Sequence, residues 1–199
     1  MQIIDVEQGS DEWLEARRGI PTASEFSKLV TSTGKASTQA NDYINLLISE
    51  RLGAVSESFT NEWMERGVEL ESAARAWYAF QTEIEPTQVG FVLNDAGTAG
   101  ASPDAIFDGG GLEIKCPSPK VHISYLRANK CPAAYIGQVQ GCMWICERET
   151  WDFLSFHPEL PPLLVKVARD EDYIAKLSQR VTEITEIINS ELNKIRGLM

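Results

Sequence analysis

A glycine-rich turn near the middle of the chain constrains its folding more than any other feature. Asp108, Gly109, Gly110 and Gly111 stand between two short β-prone runs, residues 104–107 and 112–116. Three glycines in a row continue neither a helix nor a strand, so they predict a hairpin turn that folds Asp104 back beside Glu113. Because strand side chains alternate, Glu113 and Lys115 then share one face while Leu112, Ile114 and Cys116 share the other.

Two carboxylates and an ammonium on one sheet face suit a hard divalent cation beside a polarised water. Oxygen donors select Mg²⁺ or Mn²⁺ over softer metals. Asp104 and Glu113 offset the charge of such an ion, and Lys115 orients or deprotonates a water and stabilises a crowded phosphate. The same spacing also arises as an ordinary Glu–Lys ladder on a half-exposed hairpin. On its own, the turn leaves both readings open.

A length of 199 residues with 43% hydrophobic residues predicts one compact domain spanning 1–199. The sequence has no run of about 18 apolar residues, and residues 1–13 lack the basic-then-apolar order of a signal peptide, so a soluble, cytoplasmic protein is expected. Cys116, Cys131, Cys142 and Cys146 include no CxxC pair and read as reduced, mostly buried thiols. An iron–sulfur cluster would need all four to converge in space. A net charge of −11 argues superficially against a polyanionic ligand. Net charge is not local charge, however. Acidic residues crowd the last segment (Asp170, Glu171, Asp172, Glu183, Glu186, Glu191), whereas Arg17, Arg18, Lys28, Lys35, Arg127 and Lys130 lie elsewhere. An acidic exterior around a basic lining would suit a ring or channel.

The coarse pattern runs from helix to sheet to helix. Ser10 caps a short helix through Arg18 that Gly19 stops, and Thr22 with Glu25 forms a capping box for a helix through Val30. Tyr43, Leu46, Leu47 and Leu52 recur at helical spacing, and a long helix over about 60–81 carries Trp63, Leu70, Ala74, Trp77 and Tyr78 as a core stripe. Strand-like runs at 89–93, 98–101, 104–107 and 112–116 are expected to form the central sheet. Helices at 119–127 and 132–146 precede strands at 151–156 and 163–167. A final helix over 171–196 places Leu177, Val181, Ile184, Ile188, Leu192 and Ile195 on one face. The class is mixed α/β.

Five blocks in this order carry a resemblance. They are Gln8-Gly9-Ser10-Asp11-Glu12-Trp13 with Arg17 and Gly19; Thr22-Ala23-Ser24-Glu25; Gly67 with Glu71, Ala74 and Arg75; Ser102-Pro103-Asp104 with Leu112-Glu113-Ile114-Lys115-Cys116-Pro117; and Tyr135 with Gln138-Val139-Gln140 and Met143-Trp144. Together they resemble the lambda exonuclease and YqaJ-like viral recombinase family of the PD-(D/E)xK nuclease clan. Arg18 and Pro21 depart from its pattern, standing where other members often carry apolar residues.

The resemblance implies a restriction-endonuclease-like fold with a central mixed β-sheet flanked by helices. It also implies a Mg²⁺-dependent 5′-to-3′ exonuclease with two ions in its site, Mn²⁺ being the alternative metal, that releases mononucleotides from double-stranded DNA ends and leaves 3′ single strands for phage-type recombination. Asp104, Glu113 and the main-chain carbonyl of Ile114 would hold the metals, Lys115 would serve the water, and Glu71 and Gln138 would complete the catalytic set. Arg17, Ser24 and Ser102 would bind a 5′-phosphate, and Met64 would act as a strand-separating wedge. A homotrimeric ring, a single-strand annealing partner and a phage or prophage origin are also implied. Two rival expectations are a PD-(D/E)xK endonuclease and an inactive DNA-binding recombination accessory.

Overall fold

The computed structural model describes residues 1–54 and 62–198, with backbone alone over 62–69. In chain order the elements are strand β1 (Gln2–Ile4), helix α1 (Asp11–Arg17), a 3-10 helix (Ala23–Lys28), α2 (Ala40–Arg51), α3 (Glu62–Thr82), β2 (Phe91–Leu93), β3 (Gly100–Ala101), β4 (Ala105–Phe107), β5 (Gly110–Lys115), α4 (Pro119–Ala128), α5 (Ala133–Ile145), β6 (Thr150–His157), β7 (Leu160–Ala168) and α6 (Glu171–Arg196). Ser10 accepts a hydrogen bond from the Trp13 amide and starts α1 as its spacing predicts. The backbone of Gly19 is left-handed, with φ at +67°.

The main sheet has the order β4-β5-β6-β7, antiparallel at both ends and parallel between β5 and β6. A parallel pair needs a crossover, and α4 with α5 supplies it. Helices pack on both faces. Ala74 and Tyr78 of α3 cover Ala105, Leu112, Ile114 and Leu154 on one face. On the other, Trp151 and Phe153 join the larger core built from the 3-10 helix, α2, α5 and α6. The stripe expected on α6 is buried at Leu177, Val181, Ile184, Ile188 and Leu192.

Three local expectations need correction. The strands at 89–93 and 98–101 do not join the central sheet: β2 and β3 pair with β1 in a separate three-stranded antiparallel sheet. Pro103 lacks an amide donor, and the Ser102-Pro103-Asp104 link breaks the ladder between β3 and β4. The turn after β4 is also tighter than the glycine run suggests, because Phe107 pairs directly with Gly110 and only Asp108 and Gly109 lie between them. Gly110 and Gly111 are strand residues whose missing side chains make room. A Cβ at Gly111 would stand 2.3 Å from the Trp151 ring, and one at Gly110 2.4 Å from the Phe107 ring.

The third correction concerns Thr22, which makes no capping bond to the helix that follows. Its backbone bridges to Gly100 and its hydroxyl faces Ser24 Oγ at 3.3 Å, so the segment forms a short 3-10 helix instead of an α-helix through Val30. That helix lies against α5, where a Cβ at Gly141 would meet the Phe26 ring at 2.3 Å.

Candidate active site

Strand β5 presents Glu113 and Lys115 beneath the start of α5. Glu113 is 1% exposed, an unusual position for a carboxylate unless it is paired. Its Oε1 receives Lys115 Nζ at 2.5 Å and Gln138 Nε2 at 2.6 Å. Its Oε2 is buried with no hydrogen-bond partner among the described residues. An orphaned oxygen on a buried carboxylate is costly and calls for an electropositive partner.

Asp104 sits in the link between β3 and β4, and its Oδ2 accepts a hydrogen bond from the Ile114 amide at 2.5 Å. This bond fastens Asp104 to the strand that carries Glu113. Burial and the negative charge of Glu113 push the Asp104 carboxyl well above the usual carboxylate range. Burial likewise raises Glu113, although Lys115 opposes the shift. Burial works against the charge of Lys115, yet Glu113 and Asp104 outweigh it and hold the ammonium above its ordinary pKa. Lys115 therefore enters as a donor. Its Nζ also stands 5.2 Å from the centre of the Tyr135 ring, which stacks on Phe153 at 5.4 Å.

Glu71 approaches from α3. Its charge raises the pKa of both Asp104 and Glu113, so it lies within electrostatic reach of the pair. Among the described residues, no three His, Cys, Asp or Glu side chains meet closely enough to hold an ion alone. A cation here would need main-chain oxygen beside Asp104 and Glu113, as the Ile114 carbonyl on the same strand could provide. A buried carboxylate with an orphaned oxygen, Glu113, beside the half-buried Asp104 fits a hard cation that takes oxygen ligands.

A second cluster gathers at the end of α1. Arg17 Nη1 donates to Ser102 Oγ at 2.7 Å and Nη2 to Ser24 Oγ at 3.4 Å. Burial lowers the pKa of Arg17, and its guanidinium lies 4.1 Å from the centre of the Trp13 ring. Sequence reasoning missed the role of Trp13: its indole nitrogen donates to the same Ser102 Oγ at 2.9 Å. Its signals in the sequence were its place with Arg17 in the first block of the resemblance and its helical spacing, four residues before Arg17. Gln8 was missed too. Its amide donates to the carbonyls of Val89 and Pro103 at 2.8 and 2.9 Å, pinning the link between Ser102 and Asp104.

A cleft of about 360 Å³ opens beside Arg17, with Arg18, Glu25, Lys28, Tyr43 and Glu50 in its wall. Its charge is mixed, because Arg18 pairs with Glu15 at 2.8 Å and Lys28 pairs with Glu25. Ser102 and Asp104 are two residues apart, so the Arg17 cluster adjoins the carboxylates. Met64 lies outside the described side chains, as does Trp63. The cysteines form no disulfide; Cys131, Cys142 and Cys146 are buried, and burial pushes Cys131 and Cys146 up to about 12.

Among families of known proteins, the YqaJ-like viral recombinase domain matches residues 12–149. An alkaline exonuclease from Laribacter hongkongensis is 34% identical, with a TM-score of 0.86 over 94% of this chain and 97% of that one. Its complex with dAMP gives 33% identity and a TM-score of 0.85 over the same shares. A phage-related exonuclease from Haemophilus somnus shares the fold at 15% identity, with a TM-score of 0.69 over 88% of this chain and 96% of the other. ExoD of Escherichia coli K12 is 30% identical over 66 residues, which are 32% of this chain and 76% of that protein.

Proposed function

The chain belongs to the YqaJ-like viral recombinase family and has a PD-(D/E)xK-like fold, and from these and its Asp104–Glu113 carboxylate pair we propose that it is a divalent-cation-dependent 5′-to-3′ exonuclease acting on double-stranded DNA ends. The observation that carries this reading is the convergence of Lys115 and Gln138 on one oxygen of Glu113 while the other stays unpartnered. A buried carboxylate oxygen left bare costs stability, and a bound cation beside Asp104 would satisfy it. The similar protein from Laribacter hongkongensis is an alkaline exonuclease, solved also with dAMP, which supports a nucleotide-releasing reaction here.

Asp104, Glu113, the Ile114 carbonyl and Glu71 would hold Mg²⁺ or Mn²⁺, in a pair of ions on the family's pattern. Such ions acidify a water and offset charge on a phosphate in flight. The protein's own groups do the rest. Lys115 donates to the attacking water or to a non-bridging phosphate oxygen, and Gln138 keeps Glu113 from turning away. Arg17 offers planar paired donors to a terminal 5′-phosphate, with the Ser24 and Ser102 hydroxyls beside it. Binding the end at Arg17 sets the first phosphodiester over the carboxylates, because Ser102 and Asp104 share one short link.

Hydrolysis there releases a mononucleotide and leaves the complementary 3′ strand single. We place the activity in phage-type recombination in a bacterial cytoplasm, carried by one nuclease domain over 1–199, with a homotrimeric ring holding the duplex and an annealing protein taking up the exposed strand. Circular DNA provides the test. Linear duplex with a 5′-end label should release labelled mononucleotide at once, while covalently closed duplex stays intact under the same conditions. Cutting of the closed circle at a comparable rate would replace this reading with an endonuclease.

A further inference from the structure

Arg75 lies one helical turn after Glu71 on α3 and is 17% exposed. Its guanidinium reaches two parts of the site at once. Nη1 donates to the main-chain carbonyl of Asp104 at 2.9 Å, and Nη2 donates to Glu71 Oε1 at 3.2 Å. With the Gln88 amide turned so that its oxygen faces the fork, that oxygen accepts from Nη1 at 2.7 Å and from Nη2 at 3.0 Å. Gln88 is itself fixed, because the neighbouring Thr87 exchanges two backbone hydrogen bonds with Ile106 of β4, each 2.8 Å long. One side chain thus joins α3, the link before β4 and the segment ahead of β2.

The charges around the carboxylates give this fork a purpose. Asp104, Glu113 and Glu71 bring three negative groups near one another: Glu113 and Glu71 both act on Asp104, and Glu71 acts on Glu113. Lys115 answers that charge from the strand side. Arg75 answers it from the helix side, but with its donors committed to protein atoms. We infer that Arg75 is a positioning residue: it fixes the Glu71 carboxylate and the Asp104 backbone in the arrangement that takes up a divalent cation. This rests on the cation-site reading above.

Lysine at this position keeps the charge but is a single point donor, so it cannot span a carbonyl and a carboxylate together. An ordinary surface i,i+4 pair would tolerate the exchange, since nothing beyond the pair depends on its geometry. Calorimetric titration with Mn²⁺ alone, without DNA, separates the two, with unfolding temperature recorded for every variant. The parent should bind Mn²⁺. Arg75→Lys should bind it about tenfold to a hundredfold more weakly, the range seen when groups supporting metal ligands are removed. Its maximal rate of DNA digestion should recover as Mn²⁺ is raised. Gln88→Ala, which frees the fork on its third side and leaves both charges in place, should weaken binding in the same direction.

Equal Mn²⁺ affinity in the parent and in Arg75→Lys, or in the parent and Gln88→Ala should the first variant not fold, would overturn the inference while leaving the cation site standing. A parent that takes up no Mn²⁺ would overturn the site reading and this inference with it.

Discussion

Glu113 shows why the residues of this site cost the fold stability. It is sealed beneath α5, a second, half-buried carboxylate stands within electrostatic reach, and one of its oxygens has no partner among the described residues. Asp104 carries the same penalty in a form that pH exposes. Its pKa in the folded protein is raised, so the folded state holds its proton more tightly than the unfolded chain does. The stabilising contribution is complete below the unfolded carboxylate pKa of about 4 and is lost as pH rises through the higher folded value. Asp104→Asn removes that loss and keeps an oxygen to accept the Ile114 amide. In the absence of divalent cations the variant should be more stable than the parent at pH 8, on the order of 1 kcal/mol. The advantage should shrink toward acid pH. Urea unfolding at both pH values measures it, and an advantage unchanged between them would contradict the electrostatic account.

At the scale of elements, the glycines of β5 matter for what they leave empty. Gly111 gives its space to the ring of Trp151, which is fully buried in the core between the sheet and the helices. Gly111→Ala should destabilise the protein by about 1–3 kcal/mol, as overpacking of a filled core does, with a lower urea midpoint and an unchanged slope. A midpoint equal to the parent's would mean that Trp151 moves aside freely. The same glycines show what the sequence could and could not disclose. Their run predicted a hairpin, and the hairpin is there, but only packing against Trp151 and Phe107 decides that two of them belong to the strand. Long periodic elements such as α6 were legible because their burial follows a single stripe. The three-residue β1 and the two-residue β3 were not, since strands so short have no period to read. The capping box at Thr22 was outweighed by a backbone bridge from far along the chain. Within the site, alternation along β5 placed Glu113 and Lys115 on one face. The ties from Trp13, Gln8 and Arg75 depend on contacts across the fold, so the blocks that contain these residues did not disclose what each one binds.

At the scale of the molecule, the fold brings two separate clusters together through one link of chain. The three-stranded sheet carries Ser102 toward Arg17, and the four-stranded sheet carries Glu113 and Lys115 toward Asp104, with Pro103 between them. An end-binding pocket and a hydrolytic centre held at a fixed separation would measure off one nucleotide from a DNA terminus. The measurement that bears most directly on this account follows digestion of end-labelled linear duplex with Mg²⁺ or with chelator, by the parent and by Lys115→Ala. The account predicts release of labelled mononucleotide only by the parent and only with Mg²⁺, with a loss of at least about a hundredfold in the variant and retained binding of the duplex. Digestion that persists in chelator, or a variant as fast as the parent, would contradict it.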